Sequence, residues 1–188
     1  MKTVGNILLA LLLVMAVSRP AAAQRYSVGT DGIGWMSLGA VNADASIAVG
    51  RHASLHAGAA LNPWTYYRQD PDRQMQARQM NFWGGIRWWP WHVYSGWWAG
   101  LDVQYRVYNV GGMWGKRETE EADTYGGHLW GGYSMMLSEH WNLDIGVGAW
   151  GGWKKYTVYS CPICGDPLEQ GSKMFILPDA RLAIQLIF

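Results

Sequence analysis

Between Trp97 and Tyr108 every second residue is apolar. Trp97, Ala99, Leu101, Val103, Tyr105 and Val107 share one face, while Trp98, Gly100, Asp102, Gln104, Arg106 and Tyr108 share the other. Successive side chains of a strand point to opposite sides. Alternation over this length therefore predicts a strand with one apolar and one polar face, and argues against a helix, whose apolar stripe has a period near 3.6. The pattern returns in Trp141, Leu143, Ile145, Val147, Ala149 and Trp153 against Asn142, Asp144, Gly146, Gly148, Gly152 and Lys154. It returns again at the end of the chain, where Ile176, Ala180, Leu182, Ile184, Leu186 and Phe188 oppose Asp179, Arg181 and Gln185.

Weaker versions complete a set of eight strands near 25–31, 42–50, 53–64, 79–89, 95–108, 124–137, 141–154 and 174–188. The connections carry separate information. Arg51-His52, Pro90 to Tyr94 and Ser138 to His140 are short; Gly32 to Val41, Thr65 to Arg78, Asn109 to Asp123 and Lys155 to Lys173 are long. Short and long connections alternate along the chain. Together with the even strand number, this matches bacterial outer-membrane barrels, which have short periplasmic turns and longer external loops. The fold class expected is all-β: an eight-stranded antiparallel up-and-down transmembrane β-barrel. The likeness between Arg51-His52-Ala53-Ser54-Leu55 and Glu139-His140-Trp141-Asn142-Leu143 reflects shared hairpin geometry.

The first residues fit an exported protein. Lys2 precedes an unbroken apolar run from Ile7 to Val17, and Ala21-Ala22-Ala23 offers a small-residue cleavage site before Gln24. The run falls short of the ~20 residues a spanning helix needs, so 1–23 reads as a signal peptide and 24–188 as the barrel. No Cys follows the run, so a lipoprotein start is not expected.

Alternation alone does not separate a membrane barrel from a soluble one with an apolar calyx. Composition helps here. Charged residues are 15% of the chain, against about 25% in soluble domains, so the polar face is thinly charged for a surface in water. Trp and Tyr gather near strand ends (Trp64, Tyr66, Trp88, Trp97, Tyr125, Trp141, Trp153), where interfacial girdles belong. The last strand ends in an aromatic, Phe188, like the signal read by the barrel-insertion machinery. The expected location is the bacterial outer membrane, in contact with its lipid. The net charge of +1 gives no reason to expect a nucleic-acid partner.

With the polar face inward, Asp44, Asp102, Asp144 and Asp179 share the lumen with Arg87, Arg106, Lys154 and Arg181. Pairing makes buried charge tolerable. Glycines opposite Trp83, Trp89, Trp98, Trp130 and Trp150 give those rings room. An eight-stranded barrel is just wide enough to be filled by its own side chains, so a plugged interior is expected.

Cys161-Pro162-Ile163-Cys164 is the one local motif. Oxidation in an exported compartment favours a Cys161–Cys164 disulfide tightening an external loop; metal or redox roles are the alternatives. A thioredoxin-like site lacks its βαβ context, and no second Cys or His pair shares the loop. His52, His92 and His140 fall at predicted turns. His56 and His128 face the lumen beside Ser54 and Ser134, where a Ser/His lipid hydrolase lacks an orienting acid and lumen hydrogen bonding is the better account. The charged stretches 68–73 and 116–121 read as solvated loops, with a contact surface for protein or polysaccharide as the alternative.

Several motifs resemble those of a domain-of-unknown-function family. They are Asn62-Pro63-Trp64-Thr65, Tyr108-Asn109-Val110-Gly111-Gly112, the hairpin from Gly131 to Leu143, and Tyr159-Ser160-Cys161-Pro162-Ile163-Cys164-Gly165. The family consists of small Bacteroidetes-type outer-membrane barrels, often encoded beside fimbria-like adhesin genes. The resemblance implies the fold and location, hints at fimbria-like surface partners, and supplies no catalytic residues. The function expected is non-enzymatic support of envelope structure or surface filament assembly, without a cofactor or a metal. A lipid A-modifying enzyme and a soluble exported barrel for a small apolar ligand are the alternatives.

Overall fold

The computed structural model describes residues 24–188 except 37, 71, 72, 114–116, 162 and 164. The expected signal peptide lies outside the described residues. Nine antiparallel strands follow in chain order: β1 (Tyr26–Asp31), β2 (Val41–Ala48), β3 (Ala53–Asn62), β4 (Thr65–Tyr66), β5 (Met75–Trp88), β6 (Gly96–Gly111), β7 (Thr119–Met136), β8 (Trp141–Tyr159) and β9 (Pro167–Ile187). A five-residue helix, α1 (Gly32–Met36), follows β1.

Each long strand pairs with its sequence neighbour, β1 pairs with β9, and β3 pairs with β5 over its whole length. Eight strands thus close a hydrogen-bonded ring, which leaves most backbone groups satisfied without a free sheet edge. The two-residue β4 adds only a short ladder to β5. The eight expected strands are all present, and α1 and β4 are additions within regions expected to be loops.

The larger departure is length. β6 runs on to Gly111, β7 begins at Thr119, β8 reaches Tyr159 and β9 begins at Pro167. Most of the two expected loops 109–123 and 155–173 is therefore ladder. Charged and hydroxyl residues interrupt the apolar period there, but Tyr156, Thr157, Val158 and Tyr159 suit strands, and β7 and β9 supply partners on both sides of β8. Cross-strand pairing extended the strands beyond the point where the alternation fades.

The short connections lie at one end of the ring, where Arg25 and Tyr26 meet Phe188. Tyr26 and Phe188 exchange backbone hydrogen bonds, each 2.9 Å, and their rings stack at 5.9 Å. At the opposite end the wall is uneven. β1 meets β9 only from Ala183 to Ile187, so β9 rises past it, and Asp31 Oδ1 accepts the Leu182 N–H at 3.0 Å where the ladder stops. The segment 32–36 then folds against β9 as α1.

The alternation resolves into an inverted arrangement of polarity. Asp144 is fully buried and Arg87 and Arg181 are 5% exposed, whereas Val103, Val147 and Ile176 are 73%, 68% and 77% exposed. Polar side chains fill the ring and apolar ones coat it.

Candidate functional site

The interior is built around Asp144, carried by β8 at a level where Ser134 of β7 and Ala183 of β9 flank it. Arg87 of β5 donates from Nη1 to Asp144 Oδ2 at 2.9 Å, and Arg181 of β9 donates from Nε to the same oxygen at 3.1 Å. Trp98 Nε1 donates to Oδ1 at 2.7 Å. Arg181 also donates from Nη2 to Asp44 Oδ1 at 2.7 Å. Four of the expected lumen residues, Asp44, Arg181, Asp144 and Arg87, thus form one chain of ion pairs across the ring. Each guanidinium meets a carboxylate directly, the arrangement that limits the cost of burying charge.

The other four do not pair among themselves. Asp102 meets His56 Nε2 at 2.8 Å and accepts Trp130 Nε1 at 2.9 Å. Arg106 donates to the neutral Gln79 amide. Asp179 lies 3.9 Å from His128 Nε2 and is partly exposed. Lys154 donates to Glu120 at 2.6 Å, an acid that weak alternation beyond Thr124 left in a loop. The expectation of four acids paired with four bases needs that correction. Which charges meet depends on how far each strand is offset around the ring, and this cannot be read from faces alone.

Serine and histidine do not meet either. Ser54 Oγ accepts Trp89 Nε1 at 3.1 Å and Ser134 Oγ accepts Asn142 Nδ2 at 3.1 Å. His128 instead stacks on Trp130 at 3.7 Å. Among the described residues no group of three or more His, Cys, Asp or Glu could hold a metal ion. Cys164 lies outside the described residues, and with it the expected Cys161–Cys164 pairing.

Glycines do open space for some of the interior indoles. A Cβ at Gly58 would stand 2.4 Å from Trp83, one at Gly132 2.4 Å from Trp98, and one at Gly148 2.9 Å from Trp130. Trp89 and Trp150 are accommodated differently. Trp89 packs on Tyr94 and Trp98, and Trp150 packs edge-on against Phe175.

The short-turn end is closed. Trp89, Tyr94, Trp98 and Ile187 form a buried cluster across it. Tyr94 is carried in on a turn that places it at φ 67° and Gly96 at φ 75°. The left-handed region is unfavourable for Tyr, and it is held there by burial and by hydrogen bonds of its hydroxyl with Ser46 Oγ (2.9 Å) and the Arg25 carbonyl (3.2 Å). Burial pushes the Tyr94 hydroxyl pKa up, against the opposing effect of Ser46.

The long-hairpin end is open. A cavity of about 170 Å³ sits above the ion-pair chain, between Arg87, Asp102, Arg106, Asp179 and Arg181. Above it lies a vestibule of about 540 Å³, and Gln79 and Arg106 line both. The interior is therefore a cup: plugged as expected at one end, hollow towards the other.

Outside the ring, aromatic residues fall into rows set by the strand register. Phe82, Tyr105, Tyr125 and Trp153 are successive partners across β5 to β8. Trp97 pairs with Tyr133 near the short-turn end, where Trp88, Trp91, Trp141 and Tyr26 are also exposed.

In comparisons with known proteins, the model of a family described as a protein of unknown function (DUF3575) matches residues 7–188. No curated protein matches the chain.

Proposed function

The chain belongs to that family of proteins of unknown function, and on this premise we propose that it is a non-enzymatic outer-membrane β-barrel. In this reading eight strands span the outer membrane, and the long-hairpin end supports envelope structure or the assembly of a surface filament.

The observation that carries the proposal is the inverted polarity. Leu101, Val103, Leu129, Val147 and Ile176 are exposed together, while Asp44, Asp102, Asp144, Arg87 and Arg181 are buried. A continuous apolar coat is rare on a protein in water and is the normal exterior of one in lipid. The aromatic rows bound this coat. Trp97 and Tyr105 are eight residues apart on β6, as are Tyr133 and Tyr125 on β7. That is about 27 Å along a strand and roughly 20 Å of height at the tilt of membrane barrels, near the apolar band such barrels present. The closed ring also satisfies the demand that no sheet edge meet hydrocarbon. A soluble barrel with an apolar calyx needs the opposite polarity, and Ser54 and Ser134 bond to Trp89 and Asn142, which does not favour a Ser/His lipid hydrolase.

Beyond the upper row, β6 to β9 continue for five or more residues each as paired hairpins. A rigid ladder standing above the membrane suits contact with other surface proteins better than a mobile loop does, because less entropy is lost on binding. A disulfide between Cys161 and Cys164 at the tip of the β8–β9 hairpin belongs to this reading, as does recognition of the Phe188 terminus by the insertion machinery.

Fractionation with outer-membrane markers and a shift in electrophoretic migration between unheated and boiled samples are expected. Recovery in the soluble periplasmic fraction would overturn the location. Cross-linking from residues 112–118 and 160–166 is expected to capture surface proteins. A change of lipid A mass on deletion would favour the enzymatic reading instead.

A further inference from the structure

The vestibule at the open end has a composition that the interior below it does not share. Arg106, Lys154 and Lys173 line it together with Trp150, Phe175 and Leu177, and among the described residues its lining contains no carboxylate. The smaller cavity beneath balances three acids with three bases. Lys154 is neutralised by Glu120 at the rim. Arg106 and Lys173 make no ion pair among the described residues; Lys173 Nζ sits over the Tyr156 ring at 4.7 Å. Arg106 feels Asp179 and Lys173 feels Glu120 only beyond ion-pair distance, so positive charge prevails at the mouth of the cup.

Two buried donors are also unused. Arg106 Nε and Trp150 Nε1 have no hydrogen-bond partner among the described residues, although Trp150 is only 3% exposed. Buried donors in folded proteins are nearly always satisfied, so a pair left open beside one cavity points to a group that completes them. The two residues are adjacent, with the guanidinium carbon 5.7 Å from the Trp150 ring centre. Arg106 is also held in place. Its ring contacts to Tyr108 and Trp150 and its hydrogen bond to Gln79 fix the guanidinium. Phe175, edge-on to Trp150 at 4.7 Å, and Leu177 supply an apolar wall on β9.

We propose that this vestibule binds a small oxyanion, a carboxylate or phosphate, carried on an apolar or aromatic body. Arg106 and Trp150 Nε1 hold the headgroup, Lys173 adds charge from the rim, and Phe175 and Leu177 pack on the body. A volume of about 540 Å³ lies within the range of small-molecule sites. The closed short-turn end makes it a receptor or sensor pocket and not a passage.

The test uses the protein in nanodiscs of phosphatidylcholine, so that no anionic lipid or charged detergent competes. The probes are 4-phenylbutyrate, 3-phenylpropyl phosphate and the neutral 4-phenylbutyramide, titrated by calorimetry. At least one anion is expected to bind about tenfold or more tightly than the amide, as charge-assisted hydrogen bonds imply; the tighter of the two identifies the headgroup. Arg106→Gln is expected to remove the preference for the anion. Trp150→Phe, which keeps the ring and deletes the donor, is expected to weaken anion binding several-fold. Lys155→Gln, outside the vestibule, should leave it unchanged. Should Arg106→Gln fail to fold, as judged by heat-modifiable migration, the amide comparison and Trp150→Phe still decide. Absence of binding by both anions, equal binding of the amide, or undiminished anion affinity in Trp150→Phe would overturn the proposal.

Discussion

Arg87 Nη1 lies 2.9 Å from Asp144 Oδ2 although the two residues sit on strands separated around the ring by β6 and β7. The same oxygen accepts Arg181, so one carboxylate ties β5, β8 and β9 together through the interior. Side chains joined across a ring brace it as the backbone ladder alone does not, because the ladder links only neighbours.

Asp144→Asn is expected to leave two buried guanidiniums short of charge and to destabilise the protein by about 3–5 kcal/mol, the cost of breaking a buried pair from one side. The thermal midpoint of the migration shift measures it. Arg87→Met combined with Asp144→Asn should recover part of the loss, since one unpaired cation is removed.

Gly132→Ala and Gly131→Ala form a matched pair. A Cβ at Gly132 would stand 2.4 Å from Trp98 and from the Ile145 carbonyl, whereas one at Gly131 meets nothing within 4 Å. The first is expected to cost at least the ~1–3 kcal/mol typical of overpacking, the second almost nothing. Refolding yield and thermal midpoint distinguish them.

The lipid-facing assignment is checked by charge on the coat. Leu101→Lys and Leu129→Arg place a cation midway between the aromatic rows, and each is expected to cost about 2–4 kcal/mol in lipid. In a protein whose coat faces water the same changes would be nearly neutral. Chemical unfolding from lipid vesicles provides the readout.

At the tip of the hairpins, acid should loosen one contact selectively. Burial works to raise the Glu120 pKa, but hydrogen bonds from Lys154 and Tyr108 prevail and hold the carboxyl below its usual range. A depressed carboxylate contributes stability above its unfolded pKa, and that contribution fades as pH falls through the folded value. Protection of the amides around 106–111 and 119–124, taken relative to the intrinsic exchange rate at each pH, is therefore expected to fall below the ordinary Glu range, and Glu120→Gln should show the lower protection already at neutral pH.

Deleting Phe188 removes the ring stacked on Tyr26 and the last backbone hydrogen bonds at the end of the β1–β9 seam. The expected result is less protein in the outer membrane. If the terminal aromatic serves recognition by the insertion machinery, refolding into detergent in vitro should suffer less than insertion in cells.

Much of the architecture could be read from side-chain alternation. Leu101, Val103 and Tyr105 against Asp102 and Gln104 define two faces of β6 whatever the strand later meets, because the period of two is a property of the extended backbone. Short turns at Arg51-His52 and Ser138 to His140 likewise set antiparallel neighbours and chain order. The alternation could not say where a ladder ends once both sides are polar, so Tyr156 to Tyr159 and Thr119 to Asp123 passed for loops. Nor could it distinguish Glu120, which gains its role only when β7 brings it to Lys154.

The remaining decisions belonged to closure. Pairing of β3 with β5 and of β1 with β9 sets the offset between strands, and the offset decides which inward residues share a level. Asp144 meets Arg87 and Arg181, Asp102 meets His56, and Arg106 meets Gln79, although Asp144, Asp102 and Arg106 share one polar face. Local sequence dictates a direction for each side chain; the partner at the far side of the ring depends on the summed register of every strand between. The cup with Arg106 and Trp150 at its mouth is a product of that sum.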